Sequence, residues 1–260
     1  MILDFLSGYC VHNTGDNHPG IIHELQRELA RRGPVMLQSN VPDLAGDLAR
    51  RLCCLAGGKL RKVFFACSGS EGVESAIKFS RAATGKAALL YADGAFHGLT
   101  CGALSLMGDD FWRAQFGPML ADTCDIPFND LAALERQRAT KRFAAFFVEP
   151  IQSEAGIRLP GQDYLTEAQR LCARCGALFV FDEVQTGMYR TGVFLPPITM
   201  AWNPISRFWR KLSAEGSSRA APCSCRTASM QRSTIRSNAR LSTHPPSAKT
   251  RCPCGRAWPL

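Results

Sequence analysis

The chain has 260 residues, of which 46% are hydrophobic, and this is enough apolar material for one large or two small domains with a buried core. Its formal charge of +9 would ordinarily indicate an anionic partner such as nucleic acid, but the charge is unevenly distributed. Residues 1–195 carry 20 basic and 21 acidic side chains, whereas residues 196–260 carry 11 and 1. The excess belongs to the last quarter of the chain, so the net charge does not indicate a nucleic-acid partner, and we expect none.

The sequence shows no pattern for secretion or for insertion into a membrane. Met1 is followed by Ile2, Leu3 and Asp4, without the basic region and long apolar run of a signal peptide. No apolar stretch approaches the ~20 residues that a membrane-spanning helix needs. Eight of the 12 cysteines precede residue 196, and their spacing is not that of a disulfide framework. We therefore expect a cytoplasmic protein with reduced thiols and no membrane partner.

Apolar periodicity and turn residues predict an alternation of helices and strands. In chain order, the predicted elements are helices at 24–32 and 43–55, a strand at 63–67, a helix at 71–83, strands at 87–91 and 143–148, a helix at 164–173 and a strand at 178–181. This alternation is typical of an α/β fold with a mostly parallel sheet and helices on both faces.

The composition of the chain changes after Phe194. Pro196 and Pro197 interrupt the chain, and the remaining residues are rich in serine, arginine and proline without a sustained apolar period. Such a segment buries too little apolar surface to form a core. We therefore divide the chain into an incomplete α/β domain at 1–195 and a basic, irregular tail at 196–260 that we expect to be disordered.

Two turns that follow predicted strands contain the residues of a ligand site. At the first, Gly69 permits a close backbone approach and Ser70 offers a hydroxyl at a helix N-terminus, where unpaired amides bind phosphate. An ordinary helix cap is the alternative. At the second, glycines flank Phe96 and His97, which suits a flat ligand that lies on Phe96. An ordinary turn with one anchoring aromatic is the alternative there.

Carboxylates follow two further predicted strands. Glu149 ends the strand at 143–148, and Asp182 follows the apolar run that begins at Leu178. The carboxyl ends of strands form the ligand edge of an open α/β sheet, although a solvated loop acid is the alternative for Glu149. A buried carboxylate needs a partner, and a pyridinium N–H would be such a partner for Asp182. Gln185 follows within reach of the same ligand.

In this order, the four motifs resemble those of the class III pyridoxal-phosphate-dependent aminotransferases, the ornithine, acetylornithine and ω-amino acid group of fold type I. The resemblance runs from Leu3 to about Phe194. It implies the large domain of a fold-type I transferase and pyridoxal 5'-phosphate (PLP) as the cofactor. It also implies a homodimer and transamination between an ω-amino acid or a diamine such as ornithine and a 2-oxo acid.

The resemblance assigns four residues to the cofactor's phosphate and to one face of its ring. Gly69 and Ser70 match the residues that bind the phosphate. Phe96 matches the aromatic residue that stacks on the pyridine ring, and His97 lies beside it.

Four more residues are assigned to the ring nitrogen, the other face and the substrate. Asp182 matches the aspartate that pairs with the pyridine nitrogen and makes the ring an electron sink. Val184 matches the residue on the opposite ring face, and Gln185 the residue that approaches the ring hydroxyl. Glu149 is implied to lie near the substrate.

The sequence departs from the family at the Schiff-base lysine, which the family places about 29 residues after this aspartate, on a Leu-Ala-Lys strand before a Gly-Gly turn. Lys211 has that spacing from Asp182, but Trp209-Arg210-Lys211-Leu212 is a different context and no Gly-Gly turn follows. Permitted codons for residues 208–216, read two bases later, give Leu-Ala-Lys-Ala-Gln-Arg-Gly-Gly. We therefore hypothesise a frame slip near residues 195–196 that makes Lys211 a lysine by coincidence.

Three hypotheses remain open. The first is a PLP-dependent aminotransferase of ω-amino acids, whose turnover is impaired if Lys211 cannot act, because the chemistry needs a lysine amine to move a proton. A non-catalytic remnant that still binds PLP is the second possibility. The third is an unstable truncated product whose sheet has an open, aggregation-prone edge beyond Asp182.

Other patterns in the sequence favour simpler explanations. The Cys-x-Cys pairs at 223–225 and 252–254 have a shorter spacing than structural zinc sites use, so no metal site is predicted. The arginine-rich tail has no recognised nucleic-acid-binding module. Cys172 and Cys175 have the spacing of a redox pair, but two small apolar residues on one helix face account for them as well.

Overall fold

The fold was determined as a computed structural model, which describes residues 3–33, 42–57, 60–140, 142–194, 206–208 and 221–225. The strands of these ranges are β1 (Lys62–Ala66), β2 (Ala88–Ala92), β3 (Thr123–Ile126), β4 (Phe143–Val148), β5 (Leu178–Asp182), β6 (Ser206–Phe208) and β7 (Ala221–Cys225). They form one sheet in the order β1-β7-β6-β5-β4-β2-β3.

Eight helices belong to the same ranges. They are α1 (Ser7–Cys10), α2 (Pro19–Ala30), α3 (Asp43–Ala56), α4 (Gly69–Thr84), α5 (Cys101–Leu104), α6 (Asp110–Arg113), α7 (Leu131–Thr140) and α8 (Tyr164–Arg174). None of the helices in the described ranges has the length and apolar content needed to cross a bilayer.

The sheet is mostly parallel. The strands β3, β2, β4, β5 and β6 pair in parallel, whereas β7 runs antiparallel to both of its neighbours, β6 and β1. Parallel strands need long crossover connections, and helices provide them here. The predicted α/β fold class is therefore confirmed.

Two apolar cores cover the two faces of the sheet, and β4 shows how the sequence produces them. Phe146 and Val148 pack into the core that α7 and α8 cover, whereas Phe147 points to the opposite core beneath α4. Successive side chains of a strand alternate between faces, so a strand that is buried on both faces must be apolar throughout. All six residues of β4 are buried, as this rule requires.

Most predicted elements agree with the structure to within a few residues. The strand at 143–148 has the predicted limits, whereas α2 begins at Pro19 because proline is well suited to the first helical turn. The strand β3, the helix α7 and the short helices α1, α5 and α6 were missed, as were β6 and β7 beyond Phe194. The pattern of β3 is weak because it pairs only with β2 at the edge of the sheet and buries only Ile126.

The structure also differs from the expectation for the segment after Phe194. The open edge expected beyond β5 is not found, because β6 pairs in parallel with β5 and β7 connects β6 to β1. The sequences of β6 and β7, Ser-Arg-Phe and Ala-Pro-Cys-Ser-Cys, contain no apolar run, so the pattern did not predict these strands. The other residues of the predicted tail lie outside the described residues, so its disorder and the boundary at residue 195 remain predictions.

Candidate functional site

A cavity of about 440 Å³ lies where the carboxyl ends of β2, β4 and β5 meet the N-terminus of α4. It is lined by every predicted site residue that the structure describes: Gly69, Ser70, Phe96, His97, Glu149, Asp182, Val184 and Gln185. Neighbouring parallel strands end at the same edge of a sheet, so residues far apart in sequence meet there. The structure thus brings these residues together, while their individual roles remain predictions.

The N-terminus of α4 opens onto this cavity and is capped from both directions. The Glu71 amide donates to Ser68 Oγ at 3.2 Å, and the Glu71 carboxylate accepts the Cys67 amide at 2.6 Å. This reciprocal capping leaves the amides of Gly69 and Ser70 ahead of the first hydrogen bond of the helical ladder. Free amides at the positive end of a 16-residue helix favour an anion.

The hydroxyl of Ser70 is positioned by the segment that follows β2. The Leu99 amide donates to Ser70 Oγ at 3.3 Å. Gly98 has a φ of +114°, and a Cβ at this position would lie 2.2 Å from Ser70 Oγ. Glycine is therefore required at position 98 both for its backbone conformation and for the close approach to α4.

Asp182 ends β5 with both carboxylate oxygens engaged. Oδ2 lies 2.9 Å from Nδ1 of His97, and Oδ1 accepts the Val184 amide at 3.0 Å. Asp182 is 5% exposed and His97 is 1% exposed, so the pair is buried. With Nδ1 donating to the carboxylate, the other imidazole nitrogen, Nε2, is buried without a hydrogen-bond partner. Each carboxylate oxygen has two lone pairs, so Asp182 can accept a further donor from the cavity.

Glu149 is a second buried acid, at the end of β4. Its Oε1 accepts the Phe96 amide at 3.0 Å. Burial raises the pKa of Glu149 well above its ordinary value, the negative charge of Asp182 raises it further, and the Phe96 amide acts in the opposite direction. The carboxyl of Glu149 is therefore engaged with the backbone of the residue expected to stack on a ligand.

Trp112, Tyr9 and Glu154 are among the cavity residues that the sequence analysis did not assign to the site. Trp112 packs edge-on against Phe96, with ring centroids 5.5 Å apart, and Tyr9 reaches the cavity from α1. Neither has a local signal, because each depends on the folding of a distant segment. Glu154 accepts a hydrogen bond from Gln185 Nε2 at 3.0 Å. Glu154 lies five positions after Glu149, in the loop that follows the same strand, so its position in the sequence could have indicated that it reaches the site.

A family model described as aminotransferase class-III matches residues 1–227. The chain belongs to the class III aminotransferases. Aminotransferase PigE from a Serratia strain is 41% identical to it over 191 residues, which are 73% of this chain and 22% of that protein.

Solved structures of PLP-dependent aminotransferases have the same fold as this chain. Ornithine aminotransferase from Toxoplasma gondii, with PLP at partial occupancy in its active site, is 29% identical with a TM-score of 0.80 and is matched over 88% of this chain and 56% of that one. A PLP-bound amine transaminase from an uncultivated Pseudomonas species is 22% identical, with a TM-score of 0.81 over 89% of this chain and 59% of that one, and it shows the fold alone. The chain thus spans little more than half the length of these structures.

The family implies PLP, and the cavity of this chain fits that cofactor. Amides at Gly69 and Ser70 suit a phosphate, and the remaining acceptor capacity of Asp182 suits a protonated ring nitrogen. No lysine lines the cavity within the part of the chain that the structure describes. Lys211 lies outside the described residues, three positions after β6, whose last residue Phe208 is the register partner of Asp182.

Proposed function

We propose that the chain binds PLP in this cavity and that its active site is that of an aminotransferase acting on an ω-amino acid or a diamine such as ornithine, with a 2-oxo acid as the acceptor. The observation that carries the proposal is the buried contact between His97 and Asp182, which directs an anionic acceptor into a cavity that also contains a free helix N-terminus. Bound there, PLP would supply an electron sink for removing a proton next to an amine.

The phosphate group is assigned to the start of α4. The amides of Gly69 and Ser70, together with Ser70 Oγ, form a cradle of donors at the positive end of the helix. Leu99 and Gly98 keep the hydroxyl in place from the other side. These residues would anchor the ligand while leaving its ring at the ends of β4 and β5.

The ring is assigned to Phe96, Asp182 and Val184. Asp182 would hold a proton on the ring nitrogen, because a buried carboxylate favours a nearby cation. His97 fixes the carboxylate through Nδ1 and keeps it from rotating away. Phe96 and Val184 would contact the two ring faces, and Gln185 would approach the ring hydroxyl.

Turnover is proposed to be impaired in this chain. The reaction needs a lysine amine to move the proton, and Lys211 has the spacing of that lysine without its usual sequence context. The missing sequence context of Lys211 also favours the alternative, which is a chain that binds PLP without catalysing turnover.

The amino donor, the oligomeric state and the location are proposals as well. The similarity to an ornithine aminotransferase at 29% identity supports ornithine as the donor to test first. A homodimer is proposed from the family resemblance. A cytoplasmic location is supported by the described cysteines, eight of which are free thiols, since disulfides are rare in that compartment.

The test is a titration of the purified full-length chain with PLP, followed by absorbance and by quenching of protein fluorescence. Saturable binding of one PLP per chain supports the cavity assignment, and no saturable binding contradicts it. Incubation with ornithine and 2-oxoglutarate, with glutamate measured as the product, then distinguishes an active aminotransferase from a chain that only binds PLP. Binding without glutamate formation identifies the non-catalytic form, and glutamate formation shows that the active site is complete.

A further inference from the structure

The loop that follows β4 makes four hydrogen bonds to the turn that follows β2. Glu149 Oε1 accepts the Phe96 amide at 3.0 Å, and Gln152 Nε2 donates to the carbonyl oxygen of Asp93 at 2.7 Å. Arg158 Nη1 donates to Asp93 Oδ1 at 3.0 Å and to the Asp93 carbonyl oxygen at 3.3 Å. Two ends of one short turn are thus held by one neighbouring loop.

We propose that residues 149–158, here called the clamp loop, set the position of residues 93–97, here called the stacking turn. Phe96 and His97 belong to the stacking turn and face the cavity, so the clamp loop determines where these two rings lie. The inference rests on the proposed function only for the identity of the ligand, because every contact in it exists without a ligand.

Gln152 is the central residue of the clamp loop. It is fully buried and does not line the cavity. Its backbone forms an isolated bridge with Arg158, with each amide donating to the other's carbonyl at 3.1 and 3.0 Å, so the loop closes on itself. The Asp93 carbonyl also accepts Arg158 Nη1 at 3.3 Å, but the bond from Gln152 is shorter and its donor is fully buried, so water cannot easily take its place.

Arg158 connects the clamp loop to a wider network. Its guanidinium lies 5.2 Å from the centroid of the Phe128 ring and donates to Asp93, while the Asp93 carboxylate also accepts the Phe128 amide at 2.8 Å. The Arg158 side chain is 38% exposed, so its ion pair is partly screened by solvent. Gln152 is thus expected to contribute more than Arg158 to the position of the turn.

The opposite side of the stacking turn is also fixed. The Gly108 amide donates to the Ala95 carbonyl at 2.8 Å. A Cβ at position 108 would lie 2.2 Å from the Gly94 nitrogen and 2.4 Å from the Ala95 nitrogen, so the backbones are in direct contact. The turn is held between this segment and the clamp loop, so loss of the clamp contacts releases one of its two sides.

Gln152 is therefore a positioning residue for Phe96 and His97. The aromatic ring of Phe96 packs edge-on against Trp112, and the imidazole of His97 is bound to Asp182. A shift of the turn would change both contacts together. The local effect should appear in the backbone of the turn before any ligand is added.

The experiment compares hydrogen exchange in the ligand-free full-length chain and its variants. Gln152→Met removes the donor at similar size, and Gln162→Met is the matched control because Gln162 is exposed in a loop before α8. We expect exchange of the amides at 94–98 to accelerate about fivefold in Gln152→Met, since a hydrogen bond contributes about 1 kcal/mol. The control should leave these amides unchanged.

Exchange at 94–98 that is the same in Gln152→Met and Gln162→Met overturns the proposal. If Gln152→Met accelerates exchange throughout the sheet, Arg158→Met decides instead, because its partly exposed side chain can be lost without unfolding the domain. Faster exchange limited to 94–98 in that variant, with recovery in Arg158→Lys, supports the clamp, and no change overturns it.

A second readout follows ligand geometry. Circular dichroism of bound PLP should change in Gln152→Met and remain unchanged in Gln162→Met, because the asymmetric environment of the ring depends on Phe96. A chain that binds no PLP refutes the proposed function, while hydrogen exchange still decides the role of the clamp loop.

Discussion

Nδ1 of His97 lies 2.9 Å from Oδ2 of Asp182, although the two residues are 85 positions apart in the chain. The contact exists because β2 and β5 both pair with β4 and end at the same edge of the sheet. It places a buried, hydrogen-bonded carboxylate at the wall of the cavity.

Asp182→Asn should weaken PLP binding by at least about tenfold. The amide cannot hold a proton on the ring nitrogen electrostatically, and it also removes the anionic partner of His97; one hydrogen bond to a charged group contributes about 1.5–3 kcal/mol. Fluorescence titration measures the affinity. Asp125→Asn, an exposed position of β3, is the control and should bind as the native chain does. Equal affinities for the two variants would argue against Asp182 as a ligand of the ring.

Glu149→Gln should change how stability depends on pH. The folded-state pKa of Glu149 is raised by burial above its ordinary value of 4.5, so the folded protein holds a proton that the unfolded chain has already lost. The free energy of unfolding should therefore fall as pH rises above 4.5, by at most ~1.4 kcal/mol per pH unit from this group, until the folded-state pKa is passed.

Glutamine lacks this titration but keeps an oxygen for the Phe96 amide. Urea unfolding at several pH values between 4.5 and 8 should show Glu149→Gln gaining stability relative to the native chain as pH increases. Glu28→Gln, on the exposed side of α2, controls for the loss of a negative charge. A constant difference across this range would show that Glu149 does not titrate in this way.

Gly98→Ala should lower the free energy of unfolding by about 2–4 kcal/mol. The new methyl would overlap Ser70 Oγ, and the positive φ adds backbone strain. Gly192→Ala is the matched comparison, because Gly192 also has a positive φ but no atom lies within 4 Å of its hypothetical Cβ. It should cost only about 1 kcal/mol. If thermal or urea unfolding shows similar losses of stability for both variants, the Ser70 side chain can move aside without destabilising the fold.

Lys211→Ala should leave the absorbance of bound PLP unchanged. The family's sequence context is missing around Lys211, and the frame-slip hypothesis makes this lysine accidental. A PLP absorption band that depends on Lys211 would contradict that view.

Sequencing the DNA across the codons for residues 185–215 tests the frame-slip hypothesis directly. A missing or extra base near Leu195 supports it, and an intact frame refutes it.

Local sequence patterns were sufficient to predict the strand and the helix that carry much of the site. The apolar run of β4 is buried on both faces, and such a strand can be read from sequence because every residue must be apolar. The Ser68-x-x-Glu71 cap marks the start of α4 in the same way. By contrast, β6 and β7 contain serine, arginine and proline in place of an apolar run, so no local pattern predicted them.

The sequence by itself determined the family, the sheet and the set of residues at its ligand edge, because these depend on motifs a few residues long. Only the tertiary structure decided which atoms meet: Asp182 with His97, Gln152 with Asp93, and Glu149 with the Phe96 amide. These contacts join segments separated by 53 to 85 positions, and their partners depend on which strands become neighbours in the sheet. Strand order is a property of the whole packed domain, so no local pattern contains it.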